Sequence, residues 1–84
     1  MDNNGTAYLF LYEDKPARQV RAENEFEAVF NELVYTNGVQ PDYIKNAILS
    51  AKTISEAVLL SNKFSDTGWI LFLLKVDNDN YLFY

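Results

Sequence analysis

Both ends of the chain consist of short apolar runs separated by turn residues. The longest of these runs, at residues 7–12 and 69–74, are six residues each. Runs of this length are typical of strands and are far too short to span a membrane. The stretch ARQVRA is more polar than the others, as expected for a strand at the edge of a sheet. We predict four strands from these runs, at residues 7–12, 17–22, 69–76 and 81–84.

The middle of the chain shows helical periodicity. Between Asn24 and Gly38, apolar residues recur three and four positions apart, which places them on one face of a helix. Asn24 can cap the free amides at its start, Glu27 can reach back in a capping-box arrangement, and Gly38 accepts the conformation that ends a helix. The predicted apolar stripe consists of Phe26, Val29, Phe30, Leu33 and Val34.

Two shorter helices follow the first. Pro41 suits the first turn of the second helix, and Thr53 with Glu56 forms the T-x-x-E capping box of the third. Residues that we expect to face inward from these two helices are Ile44, Ala47, Ile48, Ala51, Ile54, Ala57, Val58 and Phe64.

This element order predicts an α+β fold. We expect an antiparallel sheet of about four strands in the order β-β-α-α-α-β-β, with the helices packed mainly on one face. A chain of 84 residues is long enough for one hydrophobic core and too short for two domains. Residues 1–84 are therefore predicted to form a single small globular domain.

Both faces of the predicted sheet are apolar, although three helices on one side should leave the other side wet. Alternation puts Tyr8, Phe10 and Tyr12 on one face of the first strand, and Tyr81 and Phe83 join them if the first and last strands are neighbours in matching register. These five residues are the predicted partner or dimer face. The alternative is that the sheet coils around its helices, or that one helix crosses to the other side.

The residue types on which most enzymes rely are missing. The chain has no His and no Cys, so the commonest general base, the commonest metal ligand and the best nucleophile are absent. Residues 77–80 (DNDN) resemble the start of a calcium loop, but Tyr81 and Leu82 stand where an oxygen ligand and a glycine are needed. We therefore predict a plain hairpin turn at this position, no enzymatic activity, and no metal or cofactor.

The charge of the chain is unevenly distributed. The net charge of −5 arises within residues 22–44, which contain no Lys or Arg and five acids: Glu23, Glu25, Glu27, Glu32 and Asp42. Three of these acids crowd the start of a helix, where the helix dipole stabilises negative charge. A solvated helix terminus is therefore the simpler explanation, and a recognition surface is the alternative. This balance disfavours direct binding to nucleic acid or to an anionic membrane.

These features describe a binder better than a catalyst. The leading hypothesis is a non-enzymatic protein-binding module, in particular a small acidic inhibitor whose helix imitates phosphates in the groove of a basic nucleic-acid-binding enzyme. Phage and mobile-element inhibitors, including anti-CRISPR types, have this general character. The runner-up is an accessory or structural homodimer that uses the aromatic face, and the third hypothesis is a small-ligand or single-strand binder. The lack of disulfides in so small a domain favours the cytoplasm.

Overall fold

The computed structural model describes residues 5–66, 69–77 and 80–83. Its elements confirm the predicted α+β class with three helices and an antiparallel sheet. In chain order, they are β1 (Thr6–Tyr12), β2 (Arg18–Ala22), α1 (Glu25–Asn37), α2 (Asp42–Leu49), α3 (Ile54–Phe64), β3 (Ile70–Asp77) and β4 (Asn80–Phe83).

The strand order in the sheet is β2-β1-β3-β4, and each neighbouring pair is antiparallel. The polar strand β2 lies at one edge, as its sequence predicts. The last strand, β4, pairs with β3 and not with β1, so the predicted continuity of Tyr81 and Phe83 with the aromatic residues of β1 is wrong. The side chains of Tyr81 and Phe83, and residues 78 and 79 of the predicted hairpin turn, lie outside the described residues.

The pairing of β1 with β3 contains a β-bulge. Leu11 pairs with Phe72, but the next residue of β1, Tyr12, pairs with Ile70, so Leu71 is the extra residue on β3. A bulge interrupts the strict alternation of side chains between the two faces of a sheet. Two consecutive residues of β3 can therefore both be turned towards solvent.

Side-chain caps start α1 and α3 at the predicted positions. Asn24 Oδ1 accepts the amide of Glu27 at 2.9 Å, and the Glu27 carboxylate accepts the amide of Glu23, also at 2.9 Å. This carboxylate reaches one residue further back than the usual capping box, which closes on the capping residue itself.

The third helix repeats the same arrangement. Thr53 Oγ1 accepts the amide of Glu56 at 3.1 Å, and the Glu56 carboxylate accepts the amide of Lys52 at 3.1 Å. Each helix start thus has two backbone donors satisfied by its own local sequence.

The three helices cover one face of the sheet. The second helix, α2, packs against α1 and α3, while α1 also packs against β2. Side chains from this face of the strands join the helices in a single core. The buried members of this core are Tyr8, Phe10, Ala22, Ala28, Val29, Leu33, Ile44, Ile48, Ala57, Ile70 and Leu73.

The aromatic residues of β1 face this core, so the prediction that they form an uncovered face is wrong. Tyr8 is 3% exposed, Phe10 is 0% exposed, and Tyr12 is half-buried. The helices pack on this side because aromatic side chains bring the largest apolar area to a small core. While the domain is folded, a partner cannot reach Tyr8 or Phe10. On the opposite face, Leu74 is buried and Leu9 is half-buried.

The buried side of α1 is rotated relative to the predicted stripe. Val29 and Leu33 are buried as predicted, but Phe30 is only partly buried and lies at the margin of the core. Ala28 and Glu32 are buried in addition. The rotation brings a carboxylate into the interior, where it needs partners of its own.

Candidate functional site

The five acids of residues 22–44 do not form one surface. Glu23 and Asp42 are exposed, while Glu25 is half-buried in the first turn of α1. Glu27 is engaged in the capping bond to the amide of Glu23. Negative charge in a first helical turn is stabilised by the helix dipole, which accounts for Glu25 and Asp42 without a partner. A partner-binding role for Glu23, Glu25, Glu27 and Asp42 stays a prediction.

Glu32 is buried in the interior, so its predicted place on an exposed acidic surface is wrong. Its side chain is 1% exposed, and its Oε2 accepts a hydrogen bond from the hydroxyl of Tyr12. Arg18 Nε lies 3.0 Å from Oε1 and 3.2 Å from Oε2. A buried carboxylate is costly unless it is paired and hydrogen-bonded. This network connects α1 to both β1 and β2.

Arg18 makes a second contact that holds its guanidinium in place. The guanidinium carbon lies 3.4 Å from the centre of the Tyr35 ring, so the planar group stacks on an aromatic face while Nε donates to Glu32. Tyr12, Arg18, Glu32 and Tyr35 together are called the Glu32 cluster below. Every member of the cluster contacts another, which is the behaviour of a structural network.

The environment of Tyr12 keeps its hydroxyl protonated. Burial raises the pKa of Tyr12, and the hydrogen bond to the Glu32 carboxylate raises it further, because both disfavour the phenolate. The positive charge of Arg18 acts in the opposite direction and is the weaker influence. With a pKa well above the usual range, Tyr12 serves as a hydrogen-bond donor and is poorly suited to accept a proton in a reaction.

An apolar cleft lies between α3 and β3. Its volume is about 370 Å³, near the lower end of the range of about 300–1,000 Å³ for ligand pockets. None of its lining residues is charged, although 23% of the chain is. The residues that line this apolar cleft are Ile54, Ser55, Val58, Leu59, Asn62, Ile70, Leu71, Phe72 and Leu73.

Three large apolar side chains of the cleft are more than half exposed. They are Leu59 on α3 and the consecutive residues Leu71 and Phe72 on β3, at the bulge. Trp69, the residue before β3, is exposed to a similar degree. In a regular strand packed on one face, one of two consecutive residues would point into the core. The bulge is therefore what exposes both.

A side-chain clamp holds the two walls of the cleft together. Asn62 Nδ2 donates to the carbonyl of Ile70 at 3.0 Å, and Asn62 Oδ1 accepts the amide of Ile70, also at 3.0 Å. The carboxamide thus pairs with the strand much as a peptide group of a neighbouring strand would. Because both bonds join α3 to β3 beside the apolar residues, the cleft is formed before any ligand binds.

Sequence reasoning missed this cleft, although it expected an exposed apolar surface. The apolar run of residues 69–76 predicts that β3 is apolar on both faces, and Leu59 breaks the apolar spacing of α3. Neither signal reveals the bulge, because bulges have no reliable sequence pattern at a single Leu-Phe pair. Apolar surface was thus expected on the wrong strand.

Neither a metal site nor a membrane span is found in the described part of the chain. Among residues 5–66, 69–77 and 80–83, no three acidic side chains are grouped so that they could hold a metal ion. Within the same ranges, every helix is too short or too polar to cross a bilayer.

No protein-family model matches the chain, and no curated protein and no solved structure matches it either. The function must therefore be inferred from the arrangement of its own residues.

Proposed function

We propose that this protein is a non-enzymatic protein-binding module and that the apolar cleft is its binding surface. The observation that carries the proposal is the group of exposed side chains at the cleft, Leu59, Leu71 and Phe72, with Trp69 beside them in sequence. Large aromatic and aliphatic side chains grouped at the surface are typical of protein–protein contacts, where aromatic residues are enriched.

The buried chemistry supports binding over catalysis. Among the acids whose side chains the structure describes, Glu32 is the buried one, and Tyr12 and Arg18 already bond to its oxygens. A carboxylate that is 1% exposed and hydrogen-bonded within the fold is not accessible to a substrate. Together with the lack of His and Cys in the sequence, this favours a module that acts through contact.

The charge of the chain favours a basic partner. A net charge of −5 speeds the approach of a positively charged protein and makes that approach sensitive to salt. A nucleic-acid-binding enzyme is one such partner, so inhibition of such an enzyme remains our finer proposal. Because Glu32 is buried, the acids that can contribute to it are Glu23, Glu25, Glu27 and Asp42.

Affinity capture with matched variants tests the proposal. The wild-type chain and two variants, Leu71→Asp in the cleft and Val39→Asp outside it, are used as bait in a bacterial lysate. Val39 is a suitable control because it is apolar, 93% exposed and absent from the cleft lining. We expect a protein that the wild type and Val39→Asp retain and that Leu71→Asp loses. A captured set that is the same for all three baits would contradict a binding role for the cleft.

A further inference from the structure

The exposed apolar side chains at the cleft cover less area than one whole side of a typical interface between folded proteins. A large aromatic side chain has about 150–250 Å² of surface, and a leucine has somewhat less. The three cleft residues and Trp69 are between 51% and 69% exposed, so together they present roughly 500 Å². A specific interface between two folded proteins buries about 800 Å² on each partner. A second copy would have to bury the polar surroundings of the cleft as well to reach that area.

The shape of the surface also favours a small occupant. It is a cleft with two walls, held together by the Asn62 clamp, and its lining carries no charge. Concave, pre-formed and uncharged sites bind inserted apolar side chains, whereas a flat sheet face would suit another flat surface. The bulge turns Leu71 and Phe72 outward together, so they offer adjacent contacts to one short segment.

We propose that the apolar cleft binds a short segment of a partner protein, one that inserts two or three neighbouring large apolar side chains between α3 and β3. This inference rests on the proposed function and specifies its partner: a linear motif with apolar anchors rather than a folded surface. The contact itself is uncharged, and the net charge of the domain acts on the approach of the partner.

Selection from a random peptide library tests the inference. Phage that display random 12-residue peptides are selected on the wild-type chain and counter-selected on Leu71→Asp. Peptides that are recovered are synthesised with a fluorescent label, and their affinities are measured by anisotropy for the wild type, Leu71→Asp, Leu59→Asp and Val39→Asp. Circular dichroism and thermal melting check that each variant is folded. We expect all three to fold, because the three substituted side chains are exposed.

We expect the selected peptides to share two or three neighbouring Leu, Ile, Phe, Trp or Met residues. Their affinity should fall by at least about tenfold for both cleft variants. A few anchor contacts carry most of the energy of such an interface, and each variant puts a charge where one of these contacts is made. It should stay the same for Val39→Asp.

Three outcomes would overturn the inference. Selection that yields no cleft-dependent peptide, while lysate capture still depends on Leu71, leaves the protein-binding proposal intact and shows that the occupant is a folded surface. A wild-type dimer in sedimentation that Leu71→Asp converts to monomer shows that the occupant is a second copy. Peptides whose affinity is equal for all variants show that the cleft is not the site.

Discussion

Charged side chains are usually exposed and large apolar side chains are usually buried. The Glu32 cluster and the apolar cleft depart from this pattern in opposite ways. In the first, a charged side chain is almost completely buried; in the second, Leu71 and Phe72 are more than half exposed. The buried charge is compensated within the protein, because Tyr12 and Arg18 supply its hydrogen bonds and its counter-charge. Leu71 and Phe72, in contrast, keep about half of their surface open to solvent in the folded chain.

This difference helps to distinguish residues that stabilise the fold from residues that bind a partner. A polar residue in the interior is explained by its partners, since an unpartnered one would destabilise the fold. Apolar residues grouped at the surface have no comparable explanation in the free molecule, and exposing them is a cost that binding relieves. The exposed apolar group, rather than the buried charge, is therefore the better candidate for a binding site.

We expect the largest loss of stability from a substitution that removes the counter-charge of Glu32. Arg18→Ala leaves Glu32 buried without its counter-charge, and we expect a loss of about 3–5 kcal/mol in the free energy of unfolding. Arg21→Ala is the control on the same strand, because Arg21 is exposed and donates to the carbonyl of Gly5 at 3.3 Å. It should change stability by no more than about 0.5 kcal/mol. Urea denaturation measures both, and equal losses would show that the pair has no special role.

A smaller effect follows from removal of one donor. Tyr12→Phe keeps the ring in the core but leaves Glu32 without the hydroxyl bond, so the loss should be about 1.5–3 kcal/mol, as for hydrogen bonds to charged groups. Tyr35→Phe is the matched control, since the contact of Tyr35 with Arg18 uses the ring and not the hydroxyl. A Tyr12→Phe variant as stable as the wild type would mean that Arg18 alone satisfies the carboxylate.

Alkaline pH gives a third, graded test of the same cluster. The pKa of Tyr12 is raised in the folded state, while in the unfolded chain it is about 10. Above about pH 10, the unfolded chain loses this proton and the folded one keeps it, so stability falls by up to about 1.4 kcal/mol per pH unit. Below that pH, the contribution is fully present. Denaturation curves at a series of pH values should show a steeper decline for the wild type than for Tyr12→Phe, and parallel declines would contradict this prediction.

The smallest effect on stability is expected at the cleft. Leu71→Ala should change the free energy of unfolding by no more than about 0.5 kcal/mol, because its side chain is already half exposed. Leu73→Ala, two residues along the same strand and buried, should cost about 2–5 kcal/mol. Thermal melts of the two variants make the comparison directly. A large loss for Leu71→Ala would indicate that the residue supports the fold and would weaken its assignment to a binding site.

Local patterns predicted the elements of this fold well. The ends of α1 at Asn24 and Gly38 and the start of α3 at Thr53 follow from side chains that bond to amides a few residues away. Such contacts depend on sequence neighbours alone. The polar composition of ARQVRA likewise placed β2 at an edge, because an edge strand does not need two apolar faces.

The candidate site depends on contacts between distant residues, and these were not predictable. Glu32 reads as an exposed acid until Tyr12 and Arg18, which are 20 and 14 residues away, are seen beside it. The exposure of Leu71 depends on the register between β1 and β3, which are far apart in the chain. Burial of Tyr8 and exposure of Phe72 follow from which side of the sheet the helices occupy, and the two apolar faces gave no way to choose.

The position of β2 at the edge of the sheet also bears on aggregation. An edge strand can pair with the same strand of another molecule, the first step towards strand exchange or fibre growth. Arg18, Gln19 and Arg21 make β2 polar and basic. Arg18 is already paired with Glu32, whereas Arg21 is exposed. A second copy that paired in antiparallel register with Arg21 opposite its own Arg21 would set two like charges against each other, which destabilises the pairing. The composition of this strand, in a chain that is otherwise acidic, thus helps to keep individual molecules apart at high concentration.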